Sequence, residues 1–306
     1  MRARSSLAVL VATGLASAAS VHVVAPRAAH ACATCSCGDP TLTTMGNEKP
    51  FAGRLRASID LRYRTDAVGE PRVNRVELRE ERLDLAVTWA PIERLFVGLM
   101  LPLAYRDLTY VNLARQRVVG IGDAELRAKY FLYQDRGFAP RHLIALQAGA
   151  ELPTAGTQRD GEGAVLPSEA QLGTGGIDPI AGASYGYFRE PWSAYASITA
   201  VLPTGSRAGI EPGRSLLGTV AGQYQIDTAW AARLAVDTRL DQRSRNRDMG
   251  DEPDSGGFIA FVSPELVYSP AMDLVVSASL RVPAVNRLTG FHDEGVVAQT
   301  AVTYDF

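Results

Sequence analysis

Apolar and polar residues alternate with a period of two along most of the chain. In residues 54–64, Leu55, Ala57, Ile59, Leu61 and Tyr63 share one face, while Arg54, Arg56, Ser58, Asp60, Arg62 and Arg64 share the other. Successive side chains of a β-strand point to opposite sides, so this is an extended segment with one oily face and one ionic face. A helix would mix the two sets around its circumference. The pattern recurs in 82–89, where Leu83, Leu85, Val87 and Trp89 oppose Arg82 and Asp84, and in 123–132, where Leu126, Ala128, Tyr130 and Leu132 oppose Asp123, Glu125, Arg127 and Lys129. It returns in 230–241, with Arg233, Asp237, Arg239 and Asp241 on the polar side, in 272–282, with Asp273 and Arg281, and in 295–306. Weaker matches at 95–106, 141–153, 174–188, 192–203, 215–226 and 258–268 bring the expectation to twelve strands.

The connections sort this all-β chain. Short turns at 90–93, 134–140, 189–191, 227–229 and 269–271 alternate with longer segments at 66–74, 107–120, 154–173, 204–214, 242–257 and 284–294. A meander with short turns at one end and long loops at the other predicts an antiparallel up-and-down transmembrane β-barrel in a bacterial outer membrane, turns in the periplasm and loops outside. Trp89, Trp192 and Trp230 all fall beside short turns, with Phe188, Tyr224, Tyr268, Tyr304 and Phe306 at similar depth, as an aromatic girdle would. A terminal aromatic, Phe306, ends the last strand and is the form of signal read by the barrel-assembly machinery.

A spanning sheet must close, because an unpaired backbone group in lipid costs several kcal/mol. The ionic faces cannot meet hydrocarbon, so they are expected to line the lumen: Arg54, Arg56, Asp60, Arg62, Arg64, Arg82, Asp84, Glu125, Arg127, Lys129, Glu151, Arg233, Asp237, Arg239, Asp241, Asp273 and Arg281. Two readings stay open for this set, a salt-bridge network filling a narrow barrel and the lining of a polar path.

Composition narrows the classes further. Lys and Arg number 31 against 33 Asp and Glu, too balanced for a nucleic-acid surface. Apolar residues make up 46%, too many for a disordered chain, yet past the N-terminus no apolar run is long enough for a membrane helix. Residues 1–31 read as a cleaved signal peptide: Arg2 and Arg4 precede a small, apolar stretch that ends at Ala29-His30-Ala31. The remaining chain divides into a periplasmic N-terminal segment, 32–51, and the barrel, 52–306.

All three cysteines lie in that segment, as Cys32-Ala33-Thr34-Cys35-Ser36-Cys37. Three thiolates at this spacing can wrap one soft ion such as Cu or Zn. In an oxidising compartment two of them can instead form a disulfide, leaving one for a periplasmic partner or for lipid. A plain tether is the third reading. Elsewhere, Asp248, Asp251 and Asp254 have the wrong spacing for an EF-hand. The Gly-rich run at 173–176 lacks the lysine and helix of a phosphate loop, and neither His142 nor His292 sits in a catalytic pattern. The chain is read as a non-enzyme, with no catalytic residues assigned.

Four short motifs remain: Gly120-Ile121-Gly122-Asp123, Leu152-Pro153-Thr154-Ala155-Gly156, Leu172-Gly173-Thr174-Gly175-Gly176-Ile177-Asp178-Pro179 and Leu202-Pro203-Thr204-Gly205. Through them residues 52–306 resemble the family of outer-membrane channels of the phenol meta-cleavage pathway, a relative of the long-chain fatty-acid transporter type of barrel. The resemblance implies a β-barrel that transports small compounds, apolar or aromatic ones among them. It transfers no binding residues, and the cysteine segment is not a feature of that family. The leading expectation is therefore a channel or transporter for small solutes with 154–173 as a lid. A scaffold barrel whose cysteine tail binds metal or docks a redox partner is the alternative, and an Arg-lined pore for acidic oligosaccharides ranks below both.

Overall fold

The computed structural model describes residues 53, 55–137, 140–248, 250–271 and 273–306. The leader 1–31, the segment 32–51 with Cys32, Cys35 and Cys37, and Arg54 lie outside the described residues. Twelve long strands run up and down in order: β1 Leu55–Val68, β2 Val76–Ile92, β3 Leu95–Tyr110, β4 in two pieces, Arg115–Ile121 and Ala124–Gln134, β5 His142–Leu152, β6 Asp178–Arg189, β7 Trp192–Val201, β8 Ser215–Gln225, β9 Trp230–Asp241, β10 Gly257–Ala271, β11 Leu274–Leu288 and β12 His292–Asp305. Each pairs antiparallel with its sequence neighbour, and β1 pairs with β12 from Arg56↔Asp305 to Val68↔His292, which closes the barrel. The last residue takes part, since Phe306 N–H donates to the Leu55 carbonyl.

The burial pattern is the inverse of a water-soluble protein's. Ile59 and Leu61 are 51% and 52% exposed on the outer face of β1, while Arg62 between Leu61 and Tyr63 is 4% exposed. Leu85, Val87, Leu99, Leu126, Leu146, Ile198, Val220, Leu234, Val236, Leu266, Leu280 and Val302 continue the exposed apolar belt around the barrel. Leaving one such side chain in water forgoes about 1.5–3 kcal/mol, so the belt requires a hydrocarbon surround. Trp89, Trp192 and Trp230 are all exposed at the turn end, with Trp192 tilted against Tyr224 and Trp230 stacked on Tyr268. Phe188 departs from the expected girdle: it points inward against Phe131 and Leu143, and Tyr185 and Tyr187 stand on the outer side of β6 in its place.

At the other end the strands outrun the expected loops. β3 continues to Tyr110 and β4 starts at Arg115, so most of 107–120 is ladder and only 111–114 turn. In the same way β11 and β12 leave only 289–291 between them, so the strict long–short alternation of connections does not hold. The reason is visible in side chains: the outward face of this extension carries Arg79, Asp107 and Arg117 in one cross-strand row, a polar face that allows the sheet to continue into water. The genuinely long outer loops are 153–177, 202–214 and 242–256. The last two meet through three two-residue strands, Ile210–Glu211, Arg245–Asn246 and Gly250–Asp251.

Two irregularities matter for the interior. β4 breaks at Gly122 and Asp123, opposite Pro102, and the inward set changes from Gln116, Val118 and Gly120 to Glu125, Arg127, Lys129 and Phe131. The pairing of β11 with β12 runs from Leu274↔Tyr304 only to Arg281↔Val297. Beyond it, β11 pairs with β10 and β12 with β1, leaving the outer part of this seam without a ladder.

Candidate functional site: the barrel interior

From the turn end upward the interior has three storeys. The lowest is apolar: Phe131, Leu143 and Ala145 pack with Phe96 and Phe188, and Phe96 meets Phe131 edge-on at 5.5 Å. A small cavity of about 40 Å³ lies just above, between Phe96, Met100, Arg127, Lys129 and Gln147. The Lys129 ammonium stands 5.4 Å from the Phe131 ring centre and 5.8 Å from that of Tyr195, held by the rings' negative faces. On the rim below, the half-buried Asp135 carboxylate accepts the backbone N–H groups of His142 and Arg141, which holds its pKa below the usual carboxylate range.

The middle storey is a belt of paired charges. Arg62 bonds Asp84 at 3.0 Å, and Arg82 bonds the other oxygen of Asp84 at 2.6 Å. Arg64 and Arg106 share Glu80, Arg56 grips Asp305 through two nitrogens, and Asp60 accepts from Gln299. Across the barrel Arg233 meets Glu265 at 2.6 Å, Arg127 meets Glu125 at 2.8 Å, and Arg239 bridges Asp241 and Glu294. Asp237 accepts from Thr219 and Ser263 and faces Arg281 at 3.4 Å. Glu151 is buried directly opposite Glu125 in the β4–β5 register. Several of these links skip strands: Arg239 on β9 reaches Glu294 on β12, and Gln147 on β5 reaches Thr199 on β7.

Of the residues expected to face inward, Asp273 does not. It sits in the turn between β10 and β11 and is exposed, because the ladder resumes only at Leu274; its carbonyl accepts the Asp305 N–H. Arg54 is outside the described residues. The partners Glu80, Arg106, Glu265 and Glu294 were missed. Glu80 and Arg106 lie at or beyond the edges of the recognised alternation, and Glu294 sits on the far side of a bulge.

The top storey is the lid. Loop 153–177 turns inward, and its Ala155, Leu166, Ala170 and Leu172 pack on Leu78, Leu108 and Val118 of β2, β3 and β4. A single 3₁₀ turn, Ser168–Ala170, presents the Glu169 carbonyl to Arg106. Its two ends are clasped. Asp123 accepts the N–H of Ala155 at 3.0 Å and of Thr174 at 2.9 Å. Asp178 accepts the Thr174 hydroxyl at 2.6 Å and the Thr204 N–H at 2.7 Å. The two Leu-Pro-Thr motifs do the same job twice: Thr154 Oγ1 donates to the carbonyl preceding Asp123, and Thr204 Oγ1 to the carbonyl preceding Asp178. Gly176 and Gly205 touch backbone to backbone, so a Cβ on either would collide with the other loop. Arg207 adds a donor to the Ala155 carbonyl at 3.0 Å. The four short motifs of the sequence are one clasp in space.

A closed sheet, an oily exterior and an ionic interior decide the class. The chain is an outer-membrane β-barrel.

Comparison with known proteins agrees on architecture. The barrel is similar to the COG4313 outer-membrane channel of Pseudomonas putida F1, with a TM-score of 0.64 at 14% identity over 85% of this chain and 98% of that one. Weaker likenesses include a Pseudomonas aeruginosa FadL homologue, TM-score 0.44 at 11% identity over 83% and 90%, and the P. putida toluene transporter TodX, TM-score 0.41 at 11% over 87% and 91%. No protein-family model and no curated protein matches the chain. At these identities the likeness concerns the fold alone.

Proposed function

We propose that the barrel passes small solutes across the outer membrane and that loop 153–177 is its gate. The observation that carries this reading is the inward seating of that loop on Leu78, Leu108 and Val118, above a lumen whose charges are paired. A loop that only decorated the surface would not bury Ala170 and Leu172 completely. Solutes with an apolar or aromatic body fit best, because the lid's underside is apolar, in line with the resemblance to channels of the phenol meta-cleavage pathway. The Arg-lined pore for acidic oligosaccharides is less well supported, since Arg56, Arg62, Arg64, Arg127, Arg233 and Arg239 each have a carboxylate partner. Phe306 is proposed as the insertion signal for the assembly machinery, and Cys32, Cys35 and Cys37 as a holder of soft metal or a dock for a periplasmic partner.

Planar-bilayer conductance and liposome uptake of phenol and benzoate test the gate. Wild-type barrel is expected to conduct in brief, small openings, and removal of 157–168 to give steady, larger ones. Equal conductance and uptake before and after removal would contradict the reading.

A further inference from the structure

At the outer mouth, where β12 pairs with β1, β12 carries a bulge. Its pairing with β1 runs regularly from Asp305 to Val297, where odd-numbered residues face inward. Then Arg64 pairs with Val297 but Asp66 with Glu294, so Gly295 and Val296 together oppose Thr65. The extra residue reverses the phase. His292 and Glu294, which the regular alternation would send outward, turn into the barrel, while Val296 and Asp293 stay outside. A bulge is a standard means of re-aiming a side chain. Gly295 permits this one, since a Cβ there would run into the Thr65 hydroxyl.

The phase change brings three ligand-type atoms together. His292 Nε2 lies 3.1 Å from Asp66 Oδ1 and 3.9 Å from Glu294 Oε1, and all three fall within 4.8 Å of one another. Donors bound to one zinc-sized ion at about 2.0–2.2 Å stand roughly 3–3.5 Å apart. His292 and Asp66 already stand at that spacing, and Glu294, 3.9 Å from His292, lies slightly outside it. The surroundings favour a cation: among the described residues the cluster holds four carboxylates, Asp66, Glu80, Asp241 and Glu294, and three guanidinium groups, Arg64, Arg106 and Arg239. Burying unbalanced negative charge is costly. Arg239 bonds both oxygens of Glu294, including the Oε1 that faces His292, and fixes its orientation, as outer partners of metal ligands commonly do.

The geometry points to a divalent transition-metal site formed by Asp66, His292 and Glu294 in the outer vestibule. One imidazole and two carboxylates suit zinc, cobalt or nickel better than a soft monovalent ion. The site's residues are distinct in sequence from the three cysteines, and through Arg64, Glu80 and Arg106 the cluster adjoins the lid's Glu169 carbonyl. The site ties β12 to β1 beside the stretch where β12 has no ladder to β11. Protonated His292 bonding Asp66 without any metal is the competing account.

The test uses the full chain with Cys32, Cys35 and Cys37 changed to Ser and His22, His30 and His142 to Gln, which removes the other thiolate and imidazole ligands. Titration with Co²⁺ is followed by visible absorption, and folding by heat-modifiable mobility. One Co²⁺ per barrel with bands typical of nitrogen and oxygen ligands is expected, and His292→Gln should weaken uptake at least about tenfold to a hundredfold. No uptake at millimolar Co²⁺, or equal uptake by His292→Gln, would overturn the site. Zinc-edge X-ray absorption on the chain with His292 intact needs no change at the site: one imidazole in the shell supports it, and an oxygen-only shell refutes it.

Discussion

The two sides of the outer mouth stand at the same height and are built from opposite materials. Over β2, β3 and β4 the wall is apolar, Leu78, Leu108 and Val118, and a loop folds in to cover it. Over β9, β12 and β1 the wall is ionic, Arg239, Asp241, Glu294, His292 and Asp66, and the adjoining seam between β11 and β12 is unzipped. Hydrophobic burial is non-directional and suits a part that seats and unseats, whereas paired buried charges fix one geometry and resist change. The contrast teaches that the lid is seated on the apolar sector of the mouth, and that the ionic sector beside it, joined through Arg64, Glu80 and Arg106, is a polar rim.

Changing Leu172 to Asp should break the apolar side most severely. A carboxylate in a fully buried apolar site costs several kcal/mol, so the loop should leave the mouth. Protease added to intact cells should then cut within 153–177, and steady conductance should rise. Arg239→Gln should act on the ionic side instead, leaving Glu294 and Asp241 without their shared cation at a cost of about 3–5 kcal/mol. The temperature at which the folded gel band is lost should drop, with protease resistance of the lid unchanged. If both variants released the lid, the two halves would be one unit.

Asp123→Ala should have a smaller effect. It leaves the N–H groups of Ala155 and Thr174 without their acceptor, about 1–3 kcal/mol for each buried donor, and should give partial loop cleavage, less than Leu172→Asp. The smallest effect is expected far from either half, at the lower rim. The Asp135 carboxylate is held below its ordinary pKa by the His142 and Arg141 N–H groups. Its contribution is therefore present above the ordinary carboxylate pKa and lost as pH falls through the lowered value. Asp135→Ala should flatten the acid limb of the unfolding curve slightly and leave the lid untouched.

The strands and their faces were legible because lipid on one side and a lumen on the other impose a period of two that a single sequence displays openly. Leu55 to Arg64 needed no structure to interpret. What escaped was of three kinds. The ladder at Arg115–Ile121 escaped because above the membrane the outward face turns polar, at Arg117, and the contrast between faces is lost. Glu294 and His292 escaped because the sequence reading starts the last strand at 295 and leaves them in the connection 284–294, where one extra residue near Gly295 reverses the phase, and a bulge has no signature beyond a glycine. The clasp was visible only as four scattered motifs. That Asp123 and Asp178 serve equivalent threonines depends on hairpins meeting in space, which no periodicity records. Asp273 shows the converse error, alternation carried past the end of a strand into its turn.

The central claim is that the oily face of each strand meets lipid while the ionic face looks inward. Single cysteines placed in turn at Ile59, Asp60, Leu61, Arg62 and Tyr63 of the chain whose own cysteines are replaced by serine, spin-labelled and reconstituted in bilayers, test it most directly. Collision with dissolved oxygen, which concentrates in acyl chains, should be high at 59, 61 and 63 and low at 60 and 62. A flat profile, or one with maxima at 60 and 62, would contradict the account.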